Sequence, residues 1–331
     1  MSKIWLSQQL SELMRSYQGA CIVLAAAELD LIGQLTAPQT AAELATQMEC
    51  NLRGLTGLLD ALAALGLVIK EQGRYRPADG VAALLTAQGP DSLLAMAQHQ
   101  AHCLRSWAQL APVVKSGKPA GKDASIRGAD ADYAAFIEAM DNIARTTAPD
   151  LVAKLPDLRF THLLDVGGAS GTWTIAFLKK YPDARATLFD LPKVMPQAAK
   201  RLAEADVISR VRLVGGDFMA DALPGGADLA WLSAIIHQMS REDGRRLFAS
   251  VFAALVPGGR ILIRDHVMDE SRTRPAAGAM FAINMLVNTQ TGGTFTFEEI
   301  AHDLHAAGFI VPEIVRRDDT MNCVIRAVKP E

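Results

Sequence analysis

The chain has 331 residues, half of them hydrophobic and 21% charged, with a formal net charge of −3. That length has room for two domains, and the composition describes a globular protein and excludes a disordered one. A weakly negative chain has no electrostatic attraction to nucleic acid or to an anionic membrane, so neither is expected as a partner.

Cys21, Cys50, Cys103 and Cys323 are scattered without a CxxC pair. They read as reduced thiols, with no metal site and no disulfide framework. The opening Met-Ser-Lys-Ile-Trp lacks the basic-then-apolar pattern of a secretion signal, and the apolar stretch from Ala20 to Leu29 is too short to cross a bilayer. A cytoplasmic protein is expected.

Residues 1–95 read as helical and rich in alanine and leucine. Thr40 followed three residues later by Glu43 forms a capping box, and Asn51 can cap the next helix. Leu55, Leu58, Leu59, Leu62 and Leu65 follow helical spacing until Gly66 closes that helix. Leu67-Val68-Ile69 and Tyr75-Arg76-Pro77 then flank a short hairpin turn at Glu71-Gln72-Gly73. Helix, turn, helix, hairpin is the order of a winged helix. Its second helix, however, carries one basic residue, Arg53, and one acidic residue, Asp60, where phosphate contacts need several cations. A packing or dimerisation module is expected in place of a DNA-binding one.

Residues 96–155 read as a helical linker that contributes to a substrate pocket. Ser116 to Gly121 forms a loop between helices at Trp107–Val114 and around Tyr133–Ala144. From residue 156 to 331 strand-like runs recur at Leu163–Val166, Ala186–Phe189, Val211–Val214, Leu229–Leu232 and Arg260–Ile263. Helical segments alternate with them, which predicts a mostly parallel, Rossmann-like α/β sheet covered on both faces. Gly308–Val315 and Met321–Val328 read as a terminal antiparallel hairpin, the last of seven strands.

The first of these strands runs into Asp165-Val166-Gly167-Gly168-Ala169-Ser170-Gly171. Glycines at such a turn let the backbone approach a ligand closely. A dinucleotide fingerprint, Gly-x-Gly-x-x-Gly, fails here because Ala169 and Thr172 stand at two of its glycine positions. Asp-x-Gly-x-x-x-Gly, satisfied by Asp165, Gly167 and Gly171, is the pattern of S-adenosyl-L-methionine sites. Asp190, ending the next strand beside Leu191, is placed for a ribose diol. Gly216-Asp217-Phe218 follows the third strand, where a carboxylate and an apolar neighbour can bracket an adenine. Asp190 and Asp217 can instead cap the segments that follow them.

Together, Leu164-Asp165-Val166-Gly167-Gly168, Phe189-Asp190-Leu191-Pro192, Gly216-Asp217-Phe218 and Pro257-Gly258-Gly259 resemble the small-molecule O-methyltransferases. These include the caffeic acid, hydroxyindole and bacterial antibiotic-tailoring types. The stretches Thr40–Ala45 and Leu59–Leu67 are similar to that family's winged-helix dimerisation domain, so the resemblance spans nearly the whole chain. It implies a homodimer that uses S-adenosyl-L-methionine and releases S-adenosyl-L-homocysteine. It also implies that His237, in Ser233-Ala234-Ile235-Ile236-His237, is the general base for a hydroxyl. An imidazole just after the fourth strand, at the carboxyl edge of the sheet, suits that work. The remaining histidines, His99, His102, His162, His266, His302 and His305, are placed less well.

Asp265 ends the fifth strand where the plant enzymes carry glutamate, and is the candidate for orienting His237. Aspartate is one methylene shorter, so His237 must sit closer or use a water bridge. The chain departs from the family elsewhere. His-Asp-Trp is His237-Gln238-Met239, and the lysine four residues before the histidine is Ser233, which leaves one cofactor contact to be found. A second glutamate near the base has no counterpart in Thr291-Gly292-Gly293-Thr294-Phe295-Thr296. For the acceptor, Phe136 and Met140 on one helix and Phe281, Asn284, Met285 and Asn288 on another offer an adaptable apolar slot with two orienting amides. The expected reaction is methyl transfer to a hydroxyl of a small aromatic metabolite. N-, S- or C-methylation on the same scaffold is the alternative, as is a non-methylating enzyme that uses the bound cofactor electrostatically.

Overall fold

Local signals open and close the N-terminal helices much as their sequence dictates. The computed structural model describes residues 4–87, 89, 91–156 and 158–331. It divides into two interleaved units, Met1–Arg105 with Lys122–Asn142 and Ser106–Gly121 with Ile143–Glu331. The helical stretch 96–155 is therefore shared between the two units and is not a body of its own.

The first unit contains α1 (Ser7–Arg15), α2 (Tyr17–Glu28), α3 (Leu31–Gln34), β1 (Gln39–Thr40), α4 (Ala41–Gln47), α5 (Leu52–Ala64), β2 (Val68–Glu71), β3 (Arg74–Pro77) and α6 (Val81–Leu85). Glu43 N–H donates to Thr40 Oγ1 at 3.2 Å while the Thr40 N–H donates to the Glu43 carboxylate at 2.7 Å, completing the capping box. Asn51 Oδ1 accepts from the Gly54 N–H at 3.0 Å and opens α5. The strands form an antiparallel sheet in the order β1-β3-β2. Leu55, Leu59 and Leu62 of α5 pack with Leu31, Leu44, Val68 and Tyr75 in the core of this unit.

Helix α7 (Leu94–Trp107) follows, then α8 (Leu110–Ser116) and the long α9 (Ala129–Lys154). Trp107 thus ends a helix, where the sequence pattern places it at the start of one. The new helix begins only after Gln109, and α9 extends well beyond Tyr133–Ala144 at both ends.

The second unit is built on β4 (His162–Val166), α10 (Thr172–Lys180), β5 (Arg185–Asp190), α11 (Met195–Glu204), β6 (Val211–Gly215), β7 (Ala227–Ser233), α12 (Arg241–Ala254) and β8 (Leu255–Asp265). It continues with β9 (Val267–Met268), α13 (Ala276–Asn288), β10 (Phe295–Thr296), α14 (Phe297–Ala306), β11 (Ile310–Arg316) and β12 (Cys323–Val328). The large sheet has the order β11-β12-β8-β7-β4-β5-β6. β4 to β8 are parallel, and β12 runs antiparallel to both β8 and β11. Alternate residues face opposite sides: Leu164, Leu232 and Ile263 lie in one core cluster, Leu163, Trp231 and Leu262 in the other.

The chain leaves β4 towards β5 and β6, then returns to β7 on the other side of β4. Ligands of open parallel sheets bind at such a reversal, outside the carboxyl ends of the strands. Those ends carry Val166, Asp190, Gly215, Ser233 and Asp265.

Candidate active site

The glycine turn is tied to the sheet beside it. Gly167 N–H donates to the Phe189 carbonyl at 2.8 Å, joining the turn to β5. A Cβ on Gly167 would stand 2.5 Å from Ile235 Cδ1, one on Gly168 2.6 Å from Leu188 Cγ, and one on Gly216 2.6 Å from Phe189 Cζ. The space that these glycines keep free is thus occupied by the protein's own side chains, a stronger reason for glycine than clearance of a ligand alone. Gly167 and Gly171 also have positive φ, 69° and 81°, which glycine adopts without steric cost. Ala169 stands between them at φ 45°, a left-handed conformation that an L-residue adopts with strain.

Asp165 lies under the turn, fully buried, and accepts the Thr174 hydroxyl at 2.6 Å, joining β4 to α10. Burial pushes its carboxyl up to about 7, against the Thr174 hydrogen bond and with the help of the nearby Asp190 charge. Asp190 is half-buried at the end of β5. Its Oδ2 accepts the Ala169 N–H at 2.7 Å and its Oδ1 accepts the Leu191 N–H at 2.6 Å. The carboxylate is oriented by backbone, and each oxygen keeps a further lone pair for a ribose hydroxyl. Asp217 is exposed after β6, with Oδ1 accepting the Met219 N–H at 2.9 Å. Both aspartates therefore do cap local backbone, without exhausting their accepting capacity. Leu191, 39% exposed beside Asp190, and Phe218, packed towards Gly167, supply apolar surface at the same edge.

His237 sits in a short 3₁₀ turn, Ile236–Gln238, between β7 and the Ser240-capped α12. Its Nδ1 lies 2.8 and 2.9 Å from the two oxygens of Asp265. Both side chains are buried, 6% and 1% exposed, so this contact is direct and needs no bridging water. A carboxylate facing Nδ1 places the ring proton there and leaves the lone pair on Nε2. The Asp265 Oδ1 also accepts the His266 N–H at 2.8 Å. Edge-on to the imidazole, the Phe281 ring centres 4.8 Å away. Gln238 is exposed and bonds back to the Ala234 carbonyl, while Met239 is buried in the core.

A strand–glycine–helix turn, an oriented carboxylate on the next strand and a buried His–Asp pair lie along one sheet edge, an arrangement chemically able to hold a nucleoside cofactor and to accept a proton. Residues 107–310 match the O-methyltransferase domain and residues 12–87 the O-methyltransferase dimerisation domain. The chain belongs to the O-methyltransferase family. It is an S-adenosylmethionine-dependent enzyme, and the turn, Asp190 and the apolar edge fit that cofactor.

The tetracenomycin polyketide synthesis 8-O-methyl transferase of Streptomyces glaucescens is 30% identical over 305 residues, covering 90% of each chain. The 3-hydroxy-5-methyl-1-naphthoate 3-O-methyltransferase of Streptomyces sahachiroi is 30% identical over 332 residues, covering 98% of this chain and 92% of that one. Human N-acetylserotonin methyltransferase, solved with S-adenosylmethionine, superposes with a TM-score of 0.81 at 25% identity over 100% of both chains.

Within this methyltransferase the acceptor candidates fall in both units. Phe136 and Met140 belong to the first, where Phe136 packs on His99 at 5.1 Å. Phe281, Asn284, Met285 and Asn288 share one face of α13 in the second, and of these Phe281 touches His237. The Asn284 side-chain Oδ1 already accepts from Trp107 Nε1 at 3.0 Å and Asn288 Nδ2 at 3.1 Å. Met285 is buried.

Sequence reasoning passes over three groups at this edge. Gly293 N–H donates to the His237 carbonyl at 2.9 Å, and a Cβ on Gly292 would lie 2.5 Å from that carbonyl oxygen. The consecutive glycines, which in the sequence mark only the place of a missing acid, hold the histidine's backbone. His266 is buried with its Nδ1 unpartnered, and its ring lies 4.8 Å from that of Phe281. Arg264, buried beside Ser233, is the third.

Proposed function

We propose that this chain methylates the hydroxyl of a small aromatic metabolite, with His237 as the base. One observation carries this reading: His237 Nδ1 is engaged by Asp265 while Nε2 is left for a ligand at the carboxyl edge of the sheet. When bound, S-adenosylmethionine supplies an activated methyl on a sulfonium, so the protein's task is to align the acceptor and remove its proton. Nε2 accepts the hydroxyl proton, and Asp265 stabilises the imidazolium that results. Phe281, against the His237 ring, offers an aromatic acceptor a contact surface next to the base. The acceptors named for the two Streptomyces relatives, a polyketide and a hydroxynaphthoate, support an aromatic hydroxyl. Asp165, Gly167, Gly168, Gly171, Asp190, Leu191, Gly216, Asp217, Phe218 and Ser233 are the residues we assign to the cofactor.

We assign dimerisation to residues 1–95 and the methyltransferase chemistry to 156–331, with 96–155 helping to line the acceptor pocket. A homodimer is supported by the matched dimerisation domain and by α1, where Leu10, Leu13 and Met14 are exposed at helical spacing, with Leu6 and Tyr17 exposed at its two ends. Among the described residues no helix is long and apolar enough to cross a membrane. We further propose a cytoplasmic location for the enzyme.

The test is His237→Ala against a panel of phenolic bicyclic and tricyclic acceptors, with release of S-adenosylhomocysteine as the readout. Turnover on a phenol is expected to fall on the order of 10²- to 10⁴-fold, with S-adenosylhomocysteine still binding normally. Unchanged turnover would remove His237 as the base, and an acceptor found only among ionised thiols or amines would move the reaction off oxygen.

A further inference from the structure

Arg264 is the penultimate residue of β8 and faces the opposite side of the sheet from Asp265. It is 5% exposed, yet no carboxylate lies within ion-pairing distance of it among the described residues. Asp265 is committed to His237, and Asp318 to Arg316. Its guanidinium donates from Nε to Asn322 Oδ1 at 2.9 Å and from Nη1 to Ser233 Oγ at 3.0 Å, leaving Nη2 without a partner among the described residues. Burial lowers its pKa to about 10, which still leaves it protonated at neutral pH. Burying a cation without an anion is costly, and an otherwise satisfied protein interior does not contain one without a reason.

Its surroundings indicate the missing anion. The guanidinium lies over the Trp173 ring, 4.7 Å from the centroid. Trp173 is in the first turn of α10, which follows Gly171 directly, so the cation stands beside the helix N-terminus at the glycine turn. A helix N-terminus and a guanidinium both attract a carboxylate. Ser233, directly across from Arg264 in the sheet register, is neutral and only accepts from the guanidinium. A ligand whose reactive end is a sulfonium and whose tail holds an ammonium would be repelled by Arg264 unless its third charged group, a carboxylate, met it first.

We propose that Arg264, held by Ser233 and Asn322, is the counter-ion for the α-carboxylate of S-adenosylmethionine in this chain. The inference rests on the cofactor lying at the glycine turn. Calorimetric titration tests it with S-adenosylhomocysteine and with its decarboxylated analogue, S-adenosyl-3-thiopropylamine, which keeps the nucleoside, the sulfur and the amine. The wild-type protein is expected to bind S-adenosylhomocysteine at least tenfold more tightly than the analogue. Arg264→Met should raise the Kd for S-adenosylhomocysteine at least tenfold and leave that for the analogue within twofold. Arg264→Lys, which keeps the charge but not the guanidinium fork, should give an intermediate loss confined to S-adenosylhomocysteine. It serves as the test if the methionine variant does not fold. Equal weakening of both ligands, no weakening of either, or a wild-type protein that does not discriminate between them would overturn the proposal. A wild-type protein that binds neither would remove the cofactor placement, and this inference with it.

Discussion

Asp165 and Asp265 both end up 1% exposed near the carboxyl ends of parallel strands, and the protein treats them differently. Asp265 has an imidazole nitrogen at 2.8 Å and a backbone N–H at 2.8 Å as donors, so its burial is offset by a partner that can carry positive charge. Asp165 has a hydroxyl, a second carboxylate nearby and no cation among the described residues, and its affinity for a proton rises until it titrates at about 7. The cost of taking a carboxylate out of water is met in one case by pairing and in the other by protonation. Asp265 is thereby held against the imidazole we propose as the base, and Asp165 ties β4 to α10 with a charge that depends on pH.

If pairing is what matters at Asp265, removing its charge without changing its shape should have a larger effect than any change at Asp165. In Asp265→Asn the amide oxygen remains with the His266 N–H, and the NH₂ then faces His237 Nδ1. A donor in that position drives the ring proton to Nε2 and removes the lone pair that we propose accepts from the substrate. We expect kcat to fall on the order of 10²- to 10⁴-fold with little change in KM, measured by steady-state kinetics on an accepted phenol. Asp265→Glu, which keeps the charge, should recover part of the loss. An asparagine variant with wild-type kcat would show that the pair orients nothing.

The corresponding change at Asp165 should show in the pH dependence of stability. A carboxyl whose native pKa is raised binds its proton more tightly when folded. The stability this contributes is complete below the unfolded value of roughly 4 and is lost as pH rises through about 7. The full excursion corresponds to about 4 kcal/mol, at about 1.4 kcal/mol for each pH unit that separates the folded from the unfolded value. Asp165→Asn keeps an acceptor for the Thr174 hydroxyl and does not titrate. Urea denaturation should show the wild type losing about 2–4 kcal/mol relative to the variant between pH 4 and pH 8. Parallel pH profiles for the two proteins would mean that Asp165 remains ionised in the folded state and that the contrast with Asp265 fails.

How much of the fold and the site is legible in the sequence depends on whether the cause is local. The capping box at Thr40 and Glu43, the turn at Gly167–Gly171, and the succession of strands ending in Asp190, Ser233 and Asp265 all follow from neighbours within a few residues. The direct contact of Asp265 with His237 does not follow, because it depends on how far β7 and β8 bring their ends together. Side-chain length alone favours a longer reach or a water. The extent of α7 is hidden for a similar reason: Trp107 closes that helix with its indole bonded to Asn284, 177 residues away. Gly292 and Gly293 look like an absence in the sequence, and only the packing of the His237 carbonyl against them shows what they do.

Ala169 provides the smallest test, because it separates backbone strain in the turn from the electrostatics of Asp165 beneath it. Its φ of 45° costs an L-residue about 1–2 kcal/mol, whereas glycine adopts it freely. Glycine also loses more freedom on folding, about 0.4–1 kcal/mol, so Ala169→Gly should stabilise the protein by roughly 0.5–1 kcal/mol. The Ala169 N–H that donates to Asp190 Oδ2 is kept in the variant, so the carboxylate should stay oriented. Urea denaturation at pH 5 and pH 8 should therefore give the same gain at both, unlike the change at Asp165. A gain that appears only at pH 8 would mean that the turn's shape and the protonation of Asp165 are coupled. A loss at both would mean that the Asp190 hydrogen bond holds Ala169 in place with little strain, and that glycine only adds freedom to the unfolded chain.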